Sequence, residues 1–276
     1  MKVSDWKINV IQMDVAIGEP DKNYRQVEQN IKLAMQGHDA PDVIVLPEMW
    51  NAGYALNRIQ QLADEQGIRT KELLHRLSKH YRVNIVGGSV AVKQEGQVQN
   101  VTYVYNRQGE RVSEYAKIHL FKLMDEHLYL TEGDMLHRFE LDGIPCGSII
   151  CYDLRFPELS RTLALSGVEV LFVPAQWPNP RLYHWKTLLA ARAIENQMAV
   201  VACNRTGSSI GDNGEETTFF GHSMILDPWG EVIASAGEEA LILKGTLKLE
   251  SIPEVRSRIP VFKDRKPHIY QLGVQE

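Results

Sequence analysis

The sequence predicts an α/β fold with mixed sheets. Apolar runs rich in β-branched residues recur along the chain, and amphipathic helical patterns lie between several of them. Two hairpin signals, "NRQGE" at Asn106 and "DPWGE" at Asp227, add antiparallel pairing. Strands that alternate with helices are typical of α/β proteins, and hairpins within such a chain indicate sheets of mixed direction.

The predicted elements follow one another from the N-terminus to the last third of the chain. The strands are "INVIQM" near Ile8, "VIVLP" at Val43, "NIVGGSVAV" at Asn84, "VTYVYN" at Val101, "GSIICY" at Gly147, "VEVLFVP" at Val168 and "MAVVACN" at Met198. Apolar residues at helical spacing predict helices from Asp21 to Gly37, after Thr70, and from Pro157 to Gly167. No linker or repeat divides the chain, so one domain spanning residues 1–276 is predicted, with an extended arm from about Ile252.

Composition limits the function. The chain has 276 residues, 44% of them hydrophobic, which is enough to bury a large core. A net charge of -5 with interspersed acids and bases argues against a nucleic-acid or membrane surface and favours small-molecule partners. The N-terminal "MKVSDWKINV" lacks an apolar signal region, and three cysteines without paired spacing suit a reducing compartment, so a cytoplasmic protein is expected.

Three reactive side chains stand at the ends of predicted strands. Cys151 ends "GSIICY", Glu48 follows "VIVLP", and Lys117 in "EYAKIHLF" follows the strand that begins near Arg111. Taken singly, each has an ordinary alternative: a buried thiol, a surface carboxylate, or a lysine that snorkels to solvent. Together they form a thiol, a carboxylate and an ammonium at strand ends, a set suited to acyl transfer.

These segments resemble a known family. "LPEMW", "YAKIHLF" and "CYDLRFPE", in this order, are similar to the Glu-Lys-Cys signature of the carbon-nitrogen hydrolase (nitrilase-like) superfamily, and "VPAQWP" and "DPWGE" extend the similarity over most of the chain. The resemblance implies a four-layer αββα sandwich of two mixed sheets. It also implies a homodimer, in which the tail "DRKPHIY" is expected to reach across to the partner subunit.

The resemblance and the chemistry of the residues give each one a role. Cys151 is the expected nucleophile and Glu48 the general base, because a thiol is mostly protonated at pH 7. Lys117 and the backbone N–H of Tyr152 are expected to hold the oxyanion, and Lys117 to favour the thiolate. Glu126 matches a second glutamate that orients the lysine and the substrate, although the adjacent Asp125 competes for that assignment.

The substrate is predicted from the same resemblance. The blocks around "AQWPNPRLYHWKTLLAARAIENQ" are most similar to the bacterial ω-amidase branch, which cleaves the terminal amide of short 2-oxo acids such as 2-oxoglutaramate. Trp177 and either Tyr54 or Trp50 are expected to line the pocket. Arg155 either holds a substrate carboxylate or forms an ion pair with Asp153 or Glu158.

Several alternatives remain open at this stage. The chain is compatible with another short-chain aliphatic amidase, a nitrilase or an N-carbamoyl hydrolase, although Leu154 stands where the last group often has a second basic residue. A dimeric scaffold or redox sensor with a reactive cysteine is the non-enzyme alternative. No metal is expected, since metal-ligand spacings are missing, and no cofactor is expected, since "VGGSVAV" lacks the pattern of a phosphate-binding loop. His119, His127 and His184 are expected to pack or face solvent, and Cys203 to lie in the core.

Overall fold

The structure, a computed structural model, describes residues 5–37, 39–210, 214 and 216–270. The strands are β1 (Asp5–Gln12), β2 (Val43–Val45), β3 (Asp64–Glu65), β4 (Asn84–Val86), β5 (Val90–Gln94), β6 (Gln97–Tyr105), β7 (Arg111–Ala116), β8 (Arg138–Leu141), β9 (Ile144–Ser148), β10 (Val170–Ala175), β11 (Ala199–Asn204), β12 (Thr206–Ile210), β13 (Glu216–Phe220), β14 (Met224–Leu226), β15 (Val232–Ser235) and β16 (Leu241–Lys248). The helices are α1 (Pro20–Ala34), α2 (Ile59–Leu62), α3 (Ile68–Tyr81), α4 (Glu126–Tyr129), α5 (Pro157–Leu165), α6 (Leu182–Asn196), α7 (Ser251–Arg258) and α8 (Val261–Asp264).

Two mixed sheets form the centre of the molecule. The first has the order β16-β1-β2-β4-β6-β5-β3, with β7 paired to β6, and the second has the order β15-β14-β11-β10-β9-β8. In the first sheet β1, β2 and β4 run parallel, while β16 is antiparallel to β1. In the second, β9, β10 and β11 run parallel and β14 is antiparallel to β11. A separate hairpin of β12 and β13 lies in the chain between β11 and β14 of the second sheet.

The alternation of side chains shows how the layers stack. Val43 and Val45 of β2 pack into the same apolar cluster as Phe172 of β10, so that cluster lies between the sheets. Ile44 instead packs with residues of α1 and α3. Leu171 packs with residues of α5 and α6. Since successive residues of a strand face opposite sides, each sheet has one face on the other sheet and one face on helices. The predicted αββα sandwich is confirmed.

Two strand predictions need correction. "NIVGGSVAV" is two strands rather than one, β4 and β5, because the chain turns sharply between them. Gly88 has φ +60° there, and a Cβ at this position would stand 2.0 Å from the carbonyl oxygen of Pro47. This close approach brings the turn against the segment that carries Glu48. The strand expected to end at Cys151 ends instead at Ser148, and a 3-10 turn occupies Cys151–Arg155.

The arm expected to be extended from about Ile252 begins as a helix. Ile252 and Val255 of α7 are buried, and the side chain of Arg256 donates to the carbonyl oxygens of Gln197 and Val168. Apolar residues recurring at helical spacing within the proline- and charge-rich tail explain the difference. No helix in the described part of the chain is both long and apolar enough to cross a membrane.

Candidate active site

The segments that follow four strands meet at one edge of the sandwich. Glu48 lies three residues beyond β2 and Lys117 directly follows β7, so both come from the first sheet. Cys151 lies three residues beyond β9 and Gln176 directly follows β10, so both come from the second. The site therefore spans the boundary between the two sheets. It includes all three side chains that the sequence predicted to act together.

Glu48 is completely buried and its carboxylate is held on both oxygens. Oε1 accepts hydrogen bonds from Asn100 Nδ2 at 2.8 Å and Lys117 Nζ at 2.9 Å. Oε2 accepts one from the backbone N–H of Gln176 at 2.7 Å. Donors from two sheets thus fix the orientation of the carboxylate.

Lys117 does not snorkel to solvent but is completely buried between two glutamates. Its Nζ lies 2.9 Å from Glu48 Oε1 and 2.8 Å from Glu126 Oε1. Burial opposes the charged form, but the two carboxylates outweigh that effect and raise the pKa of Lys117 above its ordinary value. The ammonium therefore stays charged through the neutral range. Asp125 does not take part; it lies just before α4 with φ 57°, and Glu126 begins the helix.

Tyr54 lies between the two carboxylates and is partly buried. Its hydroxyl donates to Glu126 Oε1 at 2.6 Å and is 3.2 Å from Glu48 Oε1. Burial, followed by the charges of Glu126 and Glu48, raises the pKa of Tyr54 well above its ordinary value. Trp50, the alternative to Tyr54, is excluded from the site: it lies in the core, where its Nε1 donates to the Gly87 carbonyl at 2.7 Å.

The backbone at the site is left-handed at several positions. Cys151 itself has φ 46°, Met49 directly after Glu48 has φ 46°, and Asp125 directly before Glu126 has φ 57°. A residue with a side chain adopts this conformation at a cost of about 1–3 kcal/mol. The surrounding packing therefore imposes it, and it holds the thiol and both carboxylates on tight turns.

The thiol of Cys151 is neutral at physiological pH. Burial raises its pKa most and the charge of Glu48 raises it further, while Lys117 lowers it, and the net pKa is well above the ordinary value. The two glutamates and one lysine already leave one negative charge in excess, so a thiolate would add a second in a buried space. The expectation that Lys117 favours the thiolate agrees with the direction of its effect on this pKa. The lysine acts in that direction, but burial and Glu48 outweigh it.

A small pocket opens above Cys151. It is lined by Phe121, Cys151, Tyr152, Arg155, Gln176, Trp177, Pro178 and Arg181. The guanidinium carbon of Arg155 lies 4.8 Å from the ring centroid of Trp177. The predicted residues Tyr152, Arg155 and Trp177 therefore lie together around Cys151.

Arg155 does not form the ion pair considered as its structural alternative. Asp153 accepts instead from Tyr115 Oη at 2.7 Å and from Nδ1 of His119 at 2.9 Å. Within the described ranges the only polar side-chain partner of Arg155 is His184 Nδ1, at 3.4 Å, and Glu158 is not paired with it. The guanidinium is thus available to a ligand.

His119 and His127 do not line the pocket of Cys151, and the exposed His184 contacts Arg155. His119 stacks on Phe156, with ring centroids 3.5 Å apart, while it bonds to Asp153. His127 lines a separate surface cavity together with His119. No group of three or more His, Cys, Asp or Glu in the described ranges is placed to hold a metal ion. Cys146 and Cys203 are buried between the sheets, whereas Cys151 packs on the helical side of the second sheet.

Sequence reasoning missed three residues of the site. Asn100 lies in the middle of β6, Gln176 follows β10, and Arg181 directly precedes α6. Gln176 had a visible signal, because it is a polar residue after an apolar strand. Asn100 had only the signal of a single amide within an apolar strand, and Arg181 stood within the block quoted for the resemblance without a role assigned to it.

Comparison with known proteins identifies the family to which this chain belongs. The family model described as "Carbon-nitrogen hydrolase" matches residues 7–257. The chain belongs to the carbon-nitrogen hydrolase family. It is accordingly a hydrolase of carbon–nitrogen bonds in amides, as the Glu-Lys-Cys signature predicted.

Individual carbon-nitrogen hydrolases are similar to the chain over nearly its full length. A 2-oxoglutaramate amidase of Bacillus subtilis is 45% identical over 265 residues, covering 96% of this chain and 99% of that protein. The omega-amidase YafV of Escherichia coli K12 is 33% identical, covering 94% and 96%. A carbon-nitrogen hydrolase structure from Helicobacter pylori G27 superimposes with a TM-score of 0.91 at 24% identity, over 98% of each chain, and supports the fold.

Proposed function

We propose that this carbon-nitrogen hydrolase is an ω-amidase, which cleaves the terminal amide of short 2-oxo acid amides such as 2-oxoglutaramate. The observation that carries the proposal is Arg155, whose guanidinium has no carboxylate partner among the described residues and lines the pocket above Cys151. A guanidinium placed in this way suits a substrate carboxylate. Similarity to the amidases of B. subtilis and E. coli supports the same substrate class.

The first half of the proposed reaction forms a thioester. The neutral thiol of Cys151 attacks the amide carbon as Glu48 removes its proton, so the high thiol pKa requires the base to act during attack. The carbonyl oxygen becomes negative and is stabilised by Lys117 and the backbone N–H of Tyr152. Glu48 then gives the proton to the leaving nitrogen, the carbon–nitrogen bond breaks, and ammonia departs.

The second half hydrolyses the thioester. Glu48 removes a proton from a water molecule, whose oxygen attacks the thioester carbon, and the same donors stabilise the new oxyanion. Collapse breaks the carbon–sulfur bond, the proton on Glu48 returns to the thiolate, and the carboxylic acid leaves. Glu126 keeps Lys117 in place through both halves, because its Oε1 accepts from the ammonium at 2.8 Å.

The test is ammonia release by the purified protein. The substrates are 2-oxoglutaramate, pentanamide, a short aliphatic nitrile and an N-carbamoyl amino acid, with Cys151→Ala as the inactive control. The expected result is strong preference for 2-oxoglutaramate, and a drop of about 10- to 100-fold in its kcat/KM in Arg155→Gln. Preference for another compound would replace the substrate but keep the reaction class.

The remaining alternatives make different predictions in this assay. The position before Arg155 holds Leu154, which is completely buried, so a second basic group for a carbamoyl substrate is missing from that position. A scaffold or redox sensor would show a reactive thiol without ammonia release. A disulfide partner for Cys151 is not offered by Cys146 or Cys203, since both lie between the sheets.

We also propose that the chain forms a single domain, acts as a homodimer, and works in the cytoplasm. The cluster between the sheets contains residues of both sheets and of α7, which supports one folding unit. Tyr183 and Ile194, about three helical turns apart on α6, are exposed apolar residues on one face and support an interface there. All three cysteines are free, which suits a reducing compartment. Light scattering is expected to give a dimer, and Tyr183→Glu a monomer.

A further inference from the structure

We infer that Arg181 is a second substrate-binding cation, which together with Arg155 selects amides that carry a 2-oxo carboxylate. This inference rests on the proposed ω-amidase function and concerns the specificity of the same pocket. Arg181 and Arg155 both line the pocket above Cys151. Arg181 directly precedes α6, whereas Arg155 ends the 3-10 turn that begins at Cys151, so two separate elements supply the two cations.

Neither guanidinium is neutralised by the protein around it. Within residues 5–37, 39–210, 214 and 216–270, Arg155 and Arg181 form no ion pair with a carboxylate. Among other partly buried arginines, Arg107 and Arg192 have carboxylate partners, and Arg256 has backbone carbonyl acceptors instead. Partly buried cations without a counter-ion are costly, which favours an anionic ligand as the partner of this pair.

Each guanidinium also has an aromatic neighbour. Arg155 lies over Trp177 at 4.8 Å and Arg181 over Phe121 at 5.9 Å from the ring centroids. Stacking occupies the flat face of a guanidinium and leaves the N–H groups at its edge free for planar acceptors. A 2-oxo carboxylate is such an acceptor, because it presents two carboxylate oxygens and a neighbouring keto oxygen. One guanidinium accommodates the carboxylate, and the keto oxygen calls for a second donor.

The charge of the site leads to the same conclusion. Glu48, Glu126 and Lys117 leave one negative charge in excess beneath the pocket. The buried carboxylate of Asp153 in the Cys151–Arg155 turn adds to this negative charge. Arg155 and Arg181 together offset the negative charge beneath the pocket, which makes room for an anionic amide there.

The test compares three amides of equal chain length in wild type, Arg181→Gln and Arg181→Lys. The substrates are 2-oxoglutaramate, glutaric acid monoamide and neutral pentanamide. Arg181→Gln is expected to lower kcat/KM for 2-oxoglutaramate by about 10- to 100-fold, mainly through KM, and to leave pentanamide within about 2-fold. The monoamide without the keto group should lose less. Arg181→Lys should recover part of the loss, since it restores the charge but not the planar fork.

Controls separate the outcomes. Arg138→Gln removes an exposed arginine outside the pocket and should match wild type on all three amides. An equal loss on 2-oxoglutaramate and pentanamide, or an unchanged preference, would overturn the role of Arg181 while the proposed function stands. A wild-type protein without preference for anionic amides would overturn the proposed substrate and this inference together, so the wild-type ratio distinguishes the two failures.

Discussion

Gln176 of the second sheet holds Glu48 of the first through two hydrogen bonds. Its backbone N–H donates to Glu48 Oε2 and its side-chain Nε2 donates to the Glu48 carbonyl oxygen, both at 2.7 Å. The Gln176 side-chain oxygen in turn accepts from Arg205 Nη1 at 3.2 Å, and Arg205 pairs with Asp14. The proposed base is therefore supported from across the sandwich.

Gln176→Ala tests this support. The substitution leaves the buried Glu48 carbonyl and a buried N–H of Arg205 without partners, which is expected to lower the free energy of unfolding by about 1–3 kcal/mol. A less firmly held base should lower kcat by roughly 10-fold with little change in KM. Urea unfolding and steady-state kinetics measure both effects. Gln99→Ala, whose side chain bonds at the surface, is the matched control, and an unchanged kcat in Gln176→Ala would contradict the support.

Glu48→Gln is expected to abolish turnover and yet make the thiol more acidic. Loss of the general base should lower kcat by about 100- to 10,000-fold. The charge of Glu48 raises the pKa of Cys151, so its removal moves the pH dependence of iodoacetamide alkylation to lower pH. Lys117 lowers that pKa, so Lys117→Met should move the dependence to higher pH. Cys151→Ala gives the background, and shifts in the same direction would refute the charge balance described for the site.

Lys117→Met is expected to destabilise the fold as well as the reaction. The substitution leaves Glu48 and Glu126 as adjacent buried carboxylates, which is expected to cost about 3–5 kcal/mol in the free energy of unfolding. In the double variant Lys117→Met/Glu126→Gln one of these charges is gone, so part of the stability should return. Denaturant unfolding of these two variants and of Glu126→Gln alone completes the cycle and measures the coupling. Strictly additive losses would show that the carboxylates do not interact.

The free energy of unfolding should fall in alkaline solution because the native protein retains the proton of Tyr54, and Tyr54→Phe isolates this effect. The folded-state pKa of Tyr54 is raised, so above about pH 10 the unfolded chain gives up this proton while the native protein keeps it. The native state then binds more protons, and stability decreases by about 1.4 kcal/mol per pH unit for this group. The stability difference between wild type and Tyr54→Phe should therefore shrink from pH 9 to 11. A difference that stays constant would contradict the raised pKa. Tyr115→Phe, where burial and Asp153 raise the tyrosine pKa, should behave in the same way.

The sequence predicted the site best where a reactive residue closes an apolar strand. Glu48 and Cys151 follow apolar strands and Lys117 follows the mixed strand β7, and the carboxyl ends of strands form sites in α/β sheets. It predicted less well where tertiary packing decides. Tyr54 was expected on a pocket wall, but its hydroxyl bridges two carboxylates, because the direction of a side chain after a turn is not encoded in spacing. Arg181 had no motif, since only the folded chain brings the start of α6 beside Cys151.

The division of the site between two sheets links catalysis to the interior packing. Glu48 belongs to one sheet and Cys151 to the other, and between those sheets lies a close-packed layer that includes Val45 and Phe172. The packing of that layer positions the two sheets against each other and, with them, Glu48 and Cys151. Proteins are sensitive to even one methylene of interior volume. A conservative substitution in this interior layer, distant from the substrate, would therefore shift Glu48 relative to Cys151 and change the reaction rate.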